Sequence, residues 1–310
     1  MRVLFYDHDS ALEHRTGTGH PERPERLQAI LELLARRPLA GLERREPPPA
    51  TAEQIGRAHP PAYLEQVLAA IPNEGLRHLD PDTVVSPGSR EAALRAAGAA
   101  VAAVDAVLGG EASRAFCCMR PPGHHAEPQR AMGFCLFNNI AIGALHARHA
   151  HGLGRIAIFD FDVHHGNGTQ AIFWKDAETL YCSTHQWPLY PGSGRESESG
   201  VAGNILNRTF PPGTGSAAWR KVVAGEMLPR IEEFAPELLM ISAGFDAHAE
   251  DPLANLMLVE EDFAWITAEL VALAERHARG RVVSVLEGGY NLDALARSLR
   301  VHLEALGADR

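Results

Sequence analysis

Short, almost wholly apolar runs recur along the second half of the chain, and each is followed by a stretch of helical periodicity. Runs at residues 115–119, 155–159, 179–183, 237–242 and 281–286 read as strands, and a further one lies at 3–6. Helical patterns fall at about 138–151, 167–174, 217–234, 259–278 and 292–306. Strands that lack polar alternation are buried on both faces, so this rhythm predicts an α/β fold with a parallel sheet covered by helices. The first third is less regular. Helices are expected at 24–36, with Leu27, Ile30, Leu31 and Leu34 on one face, and at 52–58 and 62–71. EPPPA at 46–50 breaks the chain, residues 72–88 read as a loop, and Ser89 is expected to cap an alanine-rich helix reaching about Leu108. No repeat, low-complexity segment or linker divides the sequence, so 1–310 is expected to be one domain.

The apolar runs lead into polar, glycine-punctuated segments. These are RPPGHHAEP after Met119, DFDVHHGNG after Phe159, STHQ after the strand at Thr179, AGFDAHAEDP near Ser242 and EGGYN after Leu286. Open parallel sheets bind ligands beyond the carboxyl ends of their strands, so the five segments are expected to share one cleft.

Composition narrows the choice. A net charge of -10 argues against general affinity for nucleic acid or anionic membrane. No run of about 18 apolar residues is present to span a bilayer, and MRVLFYDHDSALEH lacks a signal peptide's apolar core and cleavage site. Cys117, Cys118, Cys135 and Cys182 form no CxxC pair, and they read as reduced thiols of a cytoplasmic protein rather than a four-thiolate metal site.

The strand tips carry the chemistry. Residues two apart in extended backbone point the same way, so Asp162 and His164 can offer one oxygen and one nitrogen to a cation. That set suits Zn²⁺, and by ligand type Fe²⁺ or Co²⁺. Asp246, which also follows a strand and a glycine, is the best third ligand. Gly166 and Gly168 allow close backbone approach or positive φ, and a helix starting near Asn167 would aim free N–H groups at the cluster. His124 and His125, after the stiff Pro121-Pro122-Gly123 approach, can act as base and acid. Tyr290, reaching in after Gly288-Gly289, can donate to an oxyanion. Taken singly, each has a plain structural explanation as a loop or core side chain. A metal, a histidine pair and a phenol together make a constellation for amide hydrolysis.

The segments RPPGHHA, GFCLFNN, DFDVHHGNGTQ, YPGSG, AGFDAHAEDPL and LEGGYNL, with HPERPERL earlier, resemble the zinc-dependent histone deacetylase family. The likeness is greatest to its class II branch and its bacterial deacetylase-like and acetoin-utilisation-type relatives, over about residues 5–300. The resemblance implies an arginase-deacetylase fold with a central eight-stranded parallel sheet. It implies one Zn²⁺ held by Asp162, His164 and Asp246, with His125 as general base and acid, His124 tuning charge beside it and Tyr290 polarising the carbonyl. Asp160 and Asn167 would hold the two histidines. Asparagine stands at 167 where many class I relatives carry aspartate, and a neutral amide raises its histidine's pKa less. A structural K⁺ is implied on Asp160, Asp162, the backbone of His164, Ser183 and the backbone of Thr184. Crowded carboxylates are tolerable where cations and imidazoles neutralise them. Phe134 and Tyr190 would line a substrate tunnel and Gly133 would offer its carbonyl to the amide N–H. The partner implied is an acylated lysine of a peptide or protein, or a small acyl-amide. A homo-oligomer is compatible with the sequence.

Three rivals stand beside that reading. Polyamine-selective relatives place an acidic gatekeeper where Leu253 follows Asp251-Pro252 here, and leucine offers no partner to a second ammonium. Glu22, Glu25 and Glu127 lie in loops able to reach the rim and keep an acetylpolyamine deacetylase in play. A two-metal ureohydrolase of the arginase type needs carboxylates where Gly166 and His248 stand. A non-catalytic zinc-containing acetyl-lysine binder has no need of the full set of catalytic groups.

Overall fold

A computed structural model describes residues 2–309. Among the described residues ten strands occur in chain order: β1 (Val3–Tyr6), β2 (Leu42–Arg45), β3 (Arg77–His78), β4 (Val84–Val85), β5 (Arg114–Cys117), β6 (Ile156–Asp160), β7 (Thr179–Gln186), β8 (Ile205–Phe210), β9 (Leu238–Ala243) and β10 (Val282–Leu286). Eight form one sheet in the order β2-β1-β5-β10-β9-β6-β7-β8, with every pairing parallel. The sheet is flanked by helices, as the alternation of apolar runs predicts. The apolar strands β1, β5, β6, β7, β9 and β10 are buried along their whole length, and Trp219, Phe116, Phe159 and Phe245 are among the largest fully buried side chains.

The two sheet edges escape the sequence reading. β2 is LERR and β8 is ILNRTF, and both are partly exposed, so neither shows a continuous apolar run. The loop expected at 72–88 contains the small antiparallel pair β3–β4. Ser89 is not a cap: the helix Ser89–Leu108 begins on it, with Gly88 as N-cap. Its hydroxyl instead accepts the Ser86 N–H at 2.8 Å. The expected helix at 217–234 is two helices, Ser216–Val222 and Leu228–Phe234, joined by a π turn at Val223–Met227. Pro229 lacks an N–H and crowds the preceding turn, which accounts for the break.

The strands β5, β10, β9, β6 and β7 are consecutive neighbours in the sheet. They are the same five whose tips carry the polar segments. Parallel pairing sets all five tips at one edge, and the register aligns Asp160 with both Ser183 and Ser242.

Candidate active site

The carboxylates and imidazoles of the strand tips meet in a buried cluster. Asp162, His164 and Asp246 each present one ligand atom, and the three atoms lie within 4.8 Å of one another. Nδ1 of His164 is 3.2 Å from Oδ1 of Asp162 and 3.1 Å from Oδ2 of Asp246. One nitrogen carries at most one proton, yet it faces two buried carboxylates at more than the usual charge-assisted hydrogen-bond length. Ligand atoms about 2.0–2.2 Å from a shared ion stand roughly this far apart, so the donor set fits a divalent cation. The remaining oxygens are already engaged. Oδ1 of Asp246 accepts the Val163 N–H at 2.9 Å, and Oδ2 of Asp162 accepts the Gly288 N–H at 2.8 Å. Each carboxylate thereby ties its own loop to a neighbour's backbone.

A second group of similar composition contrasts with this one. Exposed Asp105 and His151 meet buried His146: Oδ1 of Asp105 pairs with Nε2 of His146 and Nε2 of His151, both at 2.7 Å, and Arg57 meets the other nitrogen of His146. These are hydrogen-bond lengths, and the guanidinium requires His146 Nδ1 as acceptor, which leaves Nε2 protonated. That group is a hydrogen-bonded knot between two helices.

His124 and His125 lie beside the buried triad, their rings 4.0 Å apart. Nδ1 of His124 is 3.0 Å from Oδ2 of Asp160, which also accepts the Tyr181 hydroxyl at 2.9 Å. Burial disfavours charge on His124, but Asp162 and Asp160 outweigh it and raise its pKa to about 10. His125 goes the other way: burial, then the neighbouring His124 and His164, hold it well below the ordinary imidazole value. Nδ1 of His125 is 2.8 Å from Oδ1 of Asn167. Burial and the Asp162 charge raise Asp246 to about 7, the direction a bound cation would oppose.

The glycines act through close approach. Gly166 has ordinary φ, but a Cβ there would collide with the Tyr181 hydroxyl and Asp160. The N–H groups at the start of the helix Asn167–Phe173 do not face the carboxylates as expected. Those of Gly168 and Thr169 donate to the His124 carbonyl at 3.0 and 3.1 Å, which fixes the histidine loop.

Exposure falls from Tyr190 at 38% to Tyr290 at 9% and His125 at 5%, with Phe134 half-buried between them. The ring of Tyr190 is 5.2 Å from that of His125, and Phe134 is 5.8 Å from Tyr290. Phe134 reaches this place at φ 68, after Gly133 at φ 57, a left-handed pair that costs a phenylalanine about 1–3 kcal/mol. The Gly133 carbonyl accepts the Cys135 thiol at 3.2 Å. Leu253 is half-buried on the turn after Asp251, its N–H on that carboxylate at 2.9 Å. Ser183 bonds His185 at 3.0 Å, and the Thr184 hydroxyl is 3.5 Å from the Asp160 carbonyl.

The glutamates expected near the rim are mostly committed elsewhere. Glu22 is fully buried and bridges Arg120 and Arg26, and Glu127 accepts the Asn167 amide at 2.8 Å. Glu25 is exposed at the start of the helix Glu25–Arg36. Sequence reasoning also passed over Glu287. One of its oxygens accepts the N–H groups of Gly123 and His124 at 2.7 and 3.1 Å, and the other accepts the Ser242 hydroxyl at 3.1 Å. The signal available was a charged residue directly after an apolar strand. For Arg26 it was a charge on the apolar face of its helix.

A parallel sheet whose adjacent tips gather two carboxylates, a histidine pair and a phenol has the architecture of an amidohydrolase. Comparison with known proteins gives the family. Residues 20–306 match the Histone deacetylase domain. The chain is 44% identical over 280 residues to the histone deacetylase-like amidohydrolase of Pseudomonas aeruginosa, covering 88% of this chain and 73% of that one. It is 38% identical over 313 residues to human polyamine deacetylase HDAC10, covering 93% of this chain and 45% of the relative. The HDA15 HD domain crystal structure superposes with a TM-score of 0.93 at 32% identity, covering 98% of this chain and 88% of that one. The chain belongs to the histone deacetylase family, and its fold is the arginase-deacetylase fold. Among the described residues, no helix is long and apolar enough to cross a membrane, and all four cysteines are free and buried.

Proposed function

We propose that the chain, as one catalytic domain over 1–310, is a zinc-dependent amidohydrolase that removes acetyl or other acyl groups from lysine side chains or related acyl-amides. The observation that carries this reading is the convergence of Asp162 and Asp246 on Nδ1 of His164, next to a neutral imidazole and a phenol. A divalent ion bound there supplies a Lewis acid that polarises a carbonyl and lowers the pKa of water towards ~7.

The chain's own groups do the rest. Asn167 Nδ2 donates to Glu127, so Oδ1 faces His125 and accepts from its Nδ1. Nε2 of His125 is then the free acceptor. It takes the proton of the attacking water and later delivers it to the leaving amine. His124, held protonated by Asp160 and Asp162, offsets the negative charge that develops. Tyr290 donates to the substrate oxyanion. The four methylenes of an acyl-lysine, passing Phe134 and Tyr190, contribute at most roughly 3 kcal/mol of binding. Gly133 offers its carbonyl to the amide N–H. An oxygen-only set from Asp160, Asp162, the backbone of His164, Ser183 and the backbone of Thr184 is the kind a hard cation takes, and we assign it to structural K⁺. Buried, unbridged thiols support a reducing, cytoplasmic setting.

A second reading, acetylpolyamine deacetylase, is supported by the likeness to HDAC10. Against it, Leu253 supplies no charge and Glu22 is buried in its own ion pairs. The experiment is a panel of acyl-lysine peptides and acetylated polyamines, measured as kcat/KM on zinc-loaded protein. Preference for peptides supports the proposal, preference for polyamines the second reading. No turnover of any acyl-amide despite bound zinc would leave a non-catalytic binder.

A further inference from the structure

We propose that Asp251 is a positioning residue for Tyr290; the inference rests on Tyr290 as oxyanion donor. Asp251 is buried on the loop that carries Asp246. Its Oδ2 accepts the N–H of Tyr290 at 2.7 Å and that of Asn291 at 3.3 Å, and its Oδ1 accepts the Leu253 N–H at 2.9 Å. One carboxylate therefore holds its own turn with one oxygen and the tyrosine's backbone with the other.

The tyrosine loop needs such a hold. Gly289 sits at φ 121, a conformation open to glycine, and neither Gly288 nor Gly289 has a side chain to pack. The loop's position is set through backbone partners. Asp162 takes the Gly288 N–H, the Gly288 carbonyl accepts the Phe245 N–H at 3.0 Å, and Asp251 takes the N–H of Tyr290 itself. Just beyond, the Asn291 amide donates to the Glu250 carbonyl at 3.1 Å and its oxygen caps the last helix. The turn after Asp246 thus fixes the backbone from which the phenol projects. The ring lies under the Arg26 guanidinium at 5.0 Å, which also donates to the Gly289 carbonyl at 2.7 Å, and beside Phe134 at 5.8 Å. Oxyanion donors act over a narrow range of distance, and a displacement of ~1 Å can cost ~10²-fold in rate.

The test is a double-mutant cycle on zinc-loaded protein with an acetyl-lysine peptide. Asp251→Asn keeps the shape but turns one acceptor into a donor facing backbone N–H groups. We expect it to lower kcat by about 10- to 10²-fold, with KM and zinc content little changed. In a Tyr290→Phe background the same change should alter kcat by no more than about twofold, because the group it positions has lost its hydroxyl. Equal losses in both backgrounds, or a wild-type kcat for D251N, overturn the proposal. If Y290F alone turns over like wild type, the oxyanion role of Tyr290 has failed, and the proposal for Asp251 fails with it. Amide exchange reads the clamp without activity. The Tyr290 and Asn291 N–H groups should be protected in wild type and Y290F and exchange faster in D251N, and unchanged protection in D251N overturns the clamp. Should D251N not fold, Asp251→Glu moves the carboxylate by one methylene and serves in the same cycle.

Discussion

Nδ1 of His125 lies 2.8 Å from Oδ1 of Asn167, and Nδ2 of the same amide lies 2.8 Å from Glu127. The carboxylate fixes which way the amide points, and the amide fixes the tautomer of the histidine. A carboxylate at 167 would favour the imidazolium and raise the pKa of His125. The base must be neutral to accept a proton, so the acidic limb of kcat/KM for Asn167→Asp should move up by about one pH unit or more. The profile is best taken with Glu127→Gln as well, since the new carboxylate would face Glu127. An unmoved limb would remove His125 as the titrating base.

Asp246 comes from a different loop than Asp162 and His164, and in the proposed reading it completes a cation site. Asp246→Ala should lose most bound zinc, and zinc should no longer raise its thermal midpoint, because ligand binding stabilises only a site that exists. Metal analysis and a melting curve with and without zinc check both. Full zinc content in the variant would contradict the ligand assignment.

Glu22 is fully buried between Arg120, Arg26 and His14. Burial alone would raise its pKa, yet Arg120, His14 and Arg26 outweigh it and hold it at about 2. Glu22→Gln leaves two buried guanidinium groups without their counter-charge. Denaturant unfolding should show a loss of about 3–5 kcal/mol. A loss below about 1 kcal/mol would mean that the cluster is hydrated or rearranges.

Two buried histidines predict a loss of stability in acid. Burial lowers His59 to about 4 and His302 to about 3. His59 bridges the Pro128 carbonyl at 3.1 Å and the Asn138 N–H at 2.8 Å, and His302 bridges Thr267 and Ser284. Above about pH 6.5 both are neutral folded or unfolded, and they add no pH dependence. As pH falls below that, the unfolded chain takes up protons that the folded chain refuses, so stability declines until the folded pKa values are passed. Unfolding free energy measured from pH 7.5 to 4 should therefore fall steadily below about pH 6.5. His302→Gln should flatten that slope, and an identical slope in the variant would shift the cause to other groups.

The sequence by itself determined the class of fold and named Asp162, His164 and Asp246, whose ligand atoms the fold brings within 4.8 Å of one another. Uninterrupted apolar runs cannot sit on a half-solvated sheet, so six of the eight sheet strands were legible along with the layers that cover them. The strand-tip rule placed the polar segments at one edge; Asp162 and His164 converge as expected, though on bends after β6 rather than by strand alternation. The edges β2 and β8 were not legible, because an edge strand faces solvent and carries mixed residues. Tertiary structure alone decided what each charged group does. Glu22 looked like a rim residue and is buried, and the N–H groups expected to face the carboxylates hold the His124 carbonyl. Asp251 and Glu287, passed over in the sequence, hold the backbones of the phenol and the histidines. A carboxylate's role depends on which N–H groups reach it from strands distant in sequence, and only the packing of the sheet brings those together.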